Sequence, residues 1–113
     1  MSDNLNIVYL YGYSPNDTIH LDTLTSLIKK QSIKNLKIGI ILIHDGVIAA
    51  SSSKKLDNRL IELLELPIEL YMMTPDIKAR GIRLDSVRTN IKPIEYNELV
   101  DILDSAEKII SWM

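Results

Sequence analysis

A chain of 113 residues that is 46% hydrophobic and 25% charged has the composition of one globular domain, spanning residues 1–113, and not of a disordered segment. It contains no cysteine, which excludes disulfides, zinc–thiolate sites and any nucleophilic or sulfur-carrying thiol on this chain. The net charge of −2 provides no overall attraction to nucleic acid.

We expect neither a secretory signal nor a membrane-spanning segment, and therefore a soluble, cytoplasmic protein. Residues Met1 to Asn6 are polar and lack the basic start of a signal peptide. The longest apolar run, Ile38 to Ile43, is far shorter than the roughly 20 residues that cross a bilayer.

The first third of the chain has the pattern of a strand, a helix and a second strand. Leu5 to Tyr11 is rich in β-formers, and the loop residues Gly12 to Asp17 follow it. Apolar residues then recur at helical spacing, which predicts an amphipathic helix over Thr18 to Gln31. Leu36 to Ile43 shows no polar alternation, which is typical of a parallel strand buried on both faces.

The middle of the chain continues the alternation. Val47 to Ser53 is predicted to be a short helical turn or a loop. Leucines at helical spacing between Leu56 and Leu64 predict a second helix, which Pro67 ends. Ile68 to Met73 is predicted to be the third strand, and a short helix begins at Thr74-Pro75-Asp76 and ends before Gly81.

The last third predicts two more strands around one helix. Leu84 to Asn90 is a predicted loop, and Ile91 to Ile94 is a strand that Pro93 confines to an edge of the sheet. A helical apolar stripe runs from Tyr96 to Ala106, and Ile109 to Met113 is the terminal strand. The whole order predicts an α/β fold, a three-layer α/β/α sandwich with a mostly parallel sheet of about five strands.

The ligand-facing part of such a sheet is the edge where the strands end. Three predicted loops meet there: Gly12 to Asn16, His44 to Val47, and Met73 to Asp76. The candidate crevice residues are therefore His44, Asp45, Gly46, Val47 and Asp76.

Two interpretations of the His44-Asp45 pair remain open. An imidazole beside a carboxylate is suited to acid–base chemistry on a small ligand. The alternative is structural, because Asp45 is placed to cap the helical turn that follows the strand. Neither a nucleotide site nor a metal site is expected, since no phosphate-binding glycine motif occurs and the chain has only two histidines, His20 and His44.

Charge is unevenly distributed along the chain. Between Asp76 and Lys92 five cations stand against two carboxylates, a local net charge of +3. The cations are Lys78, Arg80, Arg83, Arg88 and Lys92. This segment predicts either an RNA-binding surface or an ordinary solvated one, and the pattern alone does not separate the two.

Several short motifs have a specific order and spacing: Asp45-Gly46-Val47, the D-I-x-A-R-G pattern from Asp76 to Gly81, Tyr96 at the start of the last helix, and Trp112. Together they resemble the TusB/DsrH family of sulfur-relay proteins. The resemblance covers most of the chain from Leu36 to Trp112 and is weaker over the first 35 residues.

The resemblance implies a subunit of a TusBCD-like or DsrEFH-like hetero-oligomer. In such complexes a TusA-like donor passes persulfide sulfur to a cysteine of the DsrE/TusD-like subunit, beside a DsrF/TusC-like subunit. The destination is the wobble uridine of transfer RNA or sulfur-oxidation metabolism. TusB-like chains serve mainly as structural or regulatory members, so we expect no catalytic residue, no cofactor and no metal here.

This chain departs from relatives that carry an early cysteine, because its first loop has Tyr13 and Ser14. It also has His44 where better-known relatives tend to show Gln, so the resemblance gives His44 no role. Arg80, Tyr96 and Trp112 are the candidate interface residues, with partner subunits or with a second copy of this chain. For Trp112 the other possibility is that it seals the sheet edge of its own chain. Direct contact with transfer RNA remains open.

Overall fold

Five parallel strands form the central sheet in the computed structural model, which describes residues 5–14, 18–51, 61–63 and 65–112. The strands are β1 (Ile7–Tyr11), β2 (Ile38–Leu42), β3 (Glu69–Met73), β4 (Lys92–Ile94) and β5 (Lys108–Trp112). Their order across the sheet is β4-β3-β2-β1-β5, and all four pairings are parallel. Each strand lies within one or two residues of its predicted bounds.

Besides the helical residues 61–63, the described part of the chain forms three helices and two 3-10 segments between the strands. The helices are α1 (Thr18–Ile33), α2 (Thr74–Ala79) and α3 (Tyr96–Ser105). The 3-10 segments are His44–Ala50 and Leu84–Ser86, the second within the predicted loop. The helix predicted between Leu56 and Leu64 lies outside the described residues except for 61–63, which are helical.

Pro93 occupies the edge position that the sequence predicts. It lies in β4, the outermost strand beside β3, with Met72 opposite it in the register. Its missing N–H therefore breaks no ladder between two inner strands. β5 forms the other edge and pairs with β1.

Both faces of the sheet are covered, which confirms the three-layer prediction. The neighbouring β1 residues Val8 and Tyr9 point to opposite faces, and each is 0% exposed. One face packs against α1 and the other against α3. The residues packed on the first face include Tyr9, Ile40, Met72, Leu21, Leu24 and Ile28, and those on the second include Val8, Ile41, Met73, Leu99, Ile102 and Leu103.

Burial of such aliphatic side chains stabilises the fold by about 1.5–3 kcal/mol each before the entropy of ordering is subtracted.

Among the helices within the described ranges, none is long and apolar enough to cross a membrane.

Candidate functional site

The ends of β1, β2 and β3 meet at one edge of the sheet, as predicted. The backbone of Gly46 lies against that of Tyr11, and a Cβ atom on Gly46 would overlap the Tyr11 carbonyl oxygen. The N–H of Gly46 donates to the carbonyl of Ile43 at 2.8 Å. Only glycine lets the segment after β2 approach the end of β1 this closely.

His44 makes the turn between β2 and the 3-10 segment in an uncommon backbone conformation. Its φ is +48°, in the left-handed region that costs most side-chain-bearing residues about 1–2 kcal/mol. The backbone N–H of His44 donates to Oδ2 of Asp76 at 3.0 Å, which ties the end of β2 to the start of α2. The imidazole itself is exposed.

Arg80 joins the two acidic residues of the site. Its Nε and Nη2 donate to Oδ1 of Asp45 at 3.2 and 3.0 Å. Its Nη1 lies 3.9 Å from Oδ1 of Asp76 and donates to the Asp76 carbonyl at 3.4 Å. We call Asp45, Asp76 and Arg80 the charge cluster. The Arg80 side chain is 27% exposed, and those of Asp45 and Asp76 are 60% and 22% exposed.

The capping role predicted for Asp45 is wrong. The 3-10 segment starts at His44, its N-cap is Ile43, and no side chain caps it. Asp45 lies within the first turn, and its carboxylate bonds to Arg80. The same bond bears on the acid–base hypothesis, because the hydrogen bonds of the described residues link the Asp45 carboxylate to Arg80 and not to His44.

Val47 was predicted to line the crevice, but its side chain lies elsewhere. Its side chain is fully buried with Ala49 and Ala50 against the core on the α1 side. Val47 therefore anchors the 3-10 segment from below, while Asp45 faces solvent. The two residues that flank Gly46 thus have different structural roles.

A group of aromatic rings near the ends of β1 and β5 was not predicted from the sequence. Tyr13 and His20 stack with ring centroids 3.8 Å apart and planes 8° from parallel. Trp112 meets His20 edge-on at 6.2 Å and 82°, and Tyr11 meets Tyr13 at 5.8 Å and 66°. The N–H of Gly12 donates to the Trp112 carbonyl at 2.8 Å, which holds the end of β5 beside the first loop.

These contacts favour one of the two roles considered for Trp112. The side chain is half-buried and packs against the core of its own chain, as the sealing of the sheet edge at β5 requires. Tyr96, in contrast, is 63% exposed at the first position of α3. Of the three candidate interface residues, Arg80 is thus occupied in the charge cluster, Trp112 is half-buried and Tyr96 is free of the core.

The basic segment between Asp76 and Lys92 carries less unpaired charge than its composition suggests. Arg80 pairs with Asp45 and Asp76, and Arg83 pairs with Asp85 at 2.6 Å. Nε of Arg88 donates to the Ala49 carbonyl at 3.2 Å. Arg80 and Arg88 therefore bond to residues outside the segment, whereas Lys78 and Lys92 are exposed. The described residues also contain no group of three His, Asp or Glu side chains that is suited to a metal ion.

The clearest pKa shift in the described part of the chain lies away from the charge cluster. Burial raises the pKa of Tyr71 to about 12, and the neighbouring charge of Glu69 and a hydrogen bond to it act in the same direction. The Tyr71 hydroxyl donates to Oε2 of Glu69 at 3.2 Å. This phenol is therefore a neutral structural donor.

The sequence profile of the family described as "DsrH like protein" matches residues 13–109. The chain belongs to the DsrH-like family. Protein TusB of Pectobacterium parmentieri is 33% identical over 73 residues, which cover 65% of this chain and 73% of that protein. Protein TusB of Shigella dysenteriae serotype 1 is 31% identical over 74 residues, with the same two coverages of 65% and 73%. These matches confirm the resemblance to the TusB/DsrH family.

Two solved structures share the fold of this DsrH-like chain. The crystal structure of the YchN protein from E. coli has a TM-score of 0.73 at 20% identity and covers 96% of this chain and 99% of that one. A protein of unknown function from Methanobacterium thermoautotrophicum has a TM-score of 0.65 at 11% identity, with coverages of 94% and 99%. At these identities the likeness establishes the fold alone.

Two of the motifs that carry the family resemblance, Asp45-Gly46-Val47 and Asp76 to Gly81, form one structural unit in this DsrH-like chain. Asp45 of the first motif bonds to Arg80 of the second, and Asp76 of the second bonds to the backbone of His44. Ile77 is fully buried beneath them, and Gly81, with φ of +68°, ends α2. The spacing of the motifs thus reflects contacts between the segments that follow β2 and β3.

Proposed function

We propose that this chain is a non-catalytic subunit of a sulfur-relay complex of the TusBCD or DsrEFH type. The proposal rests on one observation: the chain belongs to the DsrH-like family, yet it contains no cysteine. In a relay, a persulfide passes its terminal sulfur to an acceptor thiolate, and the donor leaves as a thiolate with no net oxidation. Both thiols must therefore belong to partners, a TusA-like donor and a DsrE/TusD-like acceptor.

The geometry of the site supports a shaping role. Asp45 and Asp76 both bond to Arg80, and Gly46 packs on the backbone of β1. Such a self-contained cluster fixes the shape of the sheet edge without providing a nucleophile. In the proposed complex this edge, together with a DsrF/TusC-like subunit, completes the surroundings of the partner's cysteine. The complex acts in the cytoplasm, where free thiols are kept reduced and so remain available as sulfur acceptors.

The other two functions considered for the sequence gain no specific support. The Asp45 carboxylate is engaged by Arg80, so the proposed acid–base pair with His44 has lost its carboxylate. Arg80 and Arg83 are neutralised by carboxylates, which weakens the basic segment as an RNA-binding surface.

Reconstitution with purified partners tests the proposal. The chain is mixed with a TusA-like persulfide donor and the DsrE-like and DsrF-like subunits of the same organism, and intact-mass spectrometry follows each protein. We expect one added sulfur on the DsrE-like subunit, none on this chain, and slower transfer when this chain is omitted. A covalent sulfur adduct on this chain, or transfer that ignores its presence, would contradict the proposal.

The destination of the sulfur is tested in the same mixture. Addition of transfer RNA and the downstream thiolation enzyme distinguishes the two pathways, because thiolated uridine forms only in a Tus-type relay. Binding of transfer RNA by this chain alone, with the steep salt dependence of phosphate contacts, would instead favour the RNA-binding hypothesis.

A further inference from the structure

The outward face of α3 combines exposed apolar side chains with acidic ones. Tyr96 and Val100 are 63% and 62% exposed, although both are large and apolar. With Asp104 they form one row at i, i+4 and i+8 along the helix. We call this row and the acidic residues around it the α3 face.

The α3 face points away from the core and toward the β5 side of the sheet. Leu99, Ile102 and Leu103 are the α3 residues that pack on the sheet. Glu98 and Asp101, on one flank of α3, line a shallow depression of about 180 Å³ beside β3 and β4. Tyr96 and Val100 lie on the opposite flank, because successive helical residues turn by about 100°. On that side Ile109 of β5 is also exposed, at 44%.

The charge along α3 itself has one sign, with Lys92 and Lys108 on the flanking strands β4 and β5. Residues 95–107 contain five carboxylates and no lysine or arginine. The carboxylates are those of Glu95, Glu98, Asp101, Asp104 and Glu107. Glu95 and Glu98 form the capping box at the start of α3, where the helix dipole favours negative charge. Asp104 lies in the last turn, where the dipole disfavours it and where no basic residue compensates.

We infer that the α3 face is the docking surface for a partner subunit that presents lysine and arginine side chains around an apolar patch. The inference rests on the proposed function, since the partner is a member of the relay complex. Apolar side chains this exposed gain from burial, and the acidic rim selects a cationic surface by electrostatic complementarity. The same inference explains why Asp104 lies at the helix end where the dipole disfavours a negative charge. Its carboxylate attracts the cationic partner and does not stabilise the helix.

The acidic row along α3 disfavours the other occupants. Nucleic acid and anionic bilayers are repelled by a row of carboxylates. A second copy of this chain in an isologous contact would place the same acidic helix against itself, and such like-charge contacts are costly. A cationic protein surface is the remaining complement.

The test measures binding of this chain to the DsrE-like and DsrF-like subunits separately, by calorimetry or light scattering. Tyr96→Ser and Val100→Ser should each weaken binding to one of them at least tenfold. The charge reversal Asp101→Lys/Asp104→Lys should weaken it by a similar factor at low salt. The affinity of the wild-type chain should fall as salt is raised, while that of the reversal variant falls much less. Melting temperatures are compared to confirm folding, and none of these exposed changes should lower them strongly.

Matched controls change similar residues on other surfaces. Leu84→Ser removes another exposed apolar side chain, and Glu65→Lys reverses another exposed charge. Both should leave binding unchanged. If a complex forms and the α3 variants bind as tightly as the wild type, the docking surface is wrong while the relay assignment stands. If the α3 variants instead abolish self-association of this chain, a second copy is the occupant and the inference is overturned. If the wild-type chain binds neither subunit at micromolar concentration, the proposed function itself fails.

Discussion

Arg80 and Asp45 are separated by 35 positions in the sequence, yet the guanidinium Nη2 lies 3.0 Å from the carboxylate Oδ1. The bond joins Arg80, the C-cap residue of α2, to the first turn of the 3-10 segment after β2. Because β2 and β3 are neighbours in the sheet, the segments that follow them lie side by side at its edge. The pair therefore fastens two loops whose positions the sheet has already set.

A double-mutant cycle measures this bond. Arg80→Ala, Asp45→Ala and the double variant should give a coupling of about 0.5–1 kcal/mol in urea unfolding, because Asp45 is largely exposed. The coupling should decrease at high salt. Arg80→Ala alone should cost more than Asp45→Ala, since it also removes the contacts to Asp76.

Arg83 and Asp85 provide the matched control for the cycle. Their side chains are 80% and 66% exposed, so their ion pair is fully solvated and should couple more weakly. Equal coupling energies for the two pairs would show that Arg80 does not fasten the loops.

The sheet could be predicted from local patterns because each strand is a short apolar run between turn residues. Pro93 placed β4 at an edge through its missing N–H, a purely local argument that the strand order confirms. The family motifs also indicated which loops matter. The predicted capping role of Asp45 was wrong. A helix cap and the bond to Arg80 require the same carboxylate, and rules based on neighbouring residues in the sequence predict only the cap.

The aromatic contacts could not be predicted because they join distant elements. Tyr13 follows β1, His20 lies in the first turns of α1, and Trp112 ends β5. Their meeting depends on β5 pairing beside β1, which no local pattern specifies. If β1 and β5 had been assumed to be neighbours, Trp112 would have been predicted to lie near the loop after Tyr11.

Gly46→Ala should destabilise the fold by about 1–3 kcal/mol. The added methyl would overlap the carbonyl oxygen of Tyr11, which is backbone and cannot move without displacing β1. Gly39→Ala is the control, because its methyl would meet the flexible end of Leu5. Chemical denaturation of both variants decides the comparison. A Gly46→Ala cost equal to or below that of Gly39→Ala would contradict the close approach.

His44→Gly should be about 1 kcal/mol more stable than His44→Ala. Both changes remove the imidazole, but only glycine relieves the positive φ at this position. The backbone N–H that donates to Asp76 is kept in both variants. Thermal and urea unfolding measure the difference, and equal stabilities would show that the turn is not strained. Sulfur transfer in the reconstituted relay should be unchanged by either variant, whereas its loss in a folded variant would restore the enzyme hypothesis.

Stability should decline in strong alkali because of Tyr71. Burial and the neighbouring Glu69 raise the pKa of Tyr71 from 10.0 to about 12, so the native state favours the neutral phenol. The stabilisation is therefore complete below pH 10, the pKa in the unfolded chain, and is lost as the pH rises toward 12. Urea unfolding over a series of alkaline pH values, with tyrosinate absorbance recorded in parallel, measures this decline.

Tyr71→Phe should flatten that decline, because phenylalanine has no proton to lose. At neutral pH the same variant should cost about 1 kcal/mol, the typical net value of the lost hydrogen bond to Glu69. Burial also raises the pKa of Tyr9, although its hydrogen bond with Gln31 opposes the shift. Tyr9→Phe should therefore remove a smaller part of the same decline. If Tyr71→Phe loses stability between pH 10 and 12 as steeply as the wild type, Tyr71 is not the group whose ionisation weakens the fold.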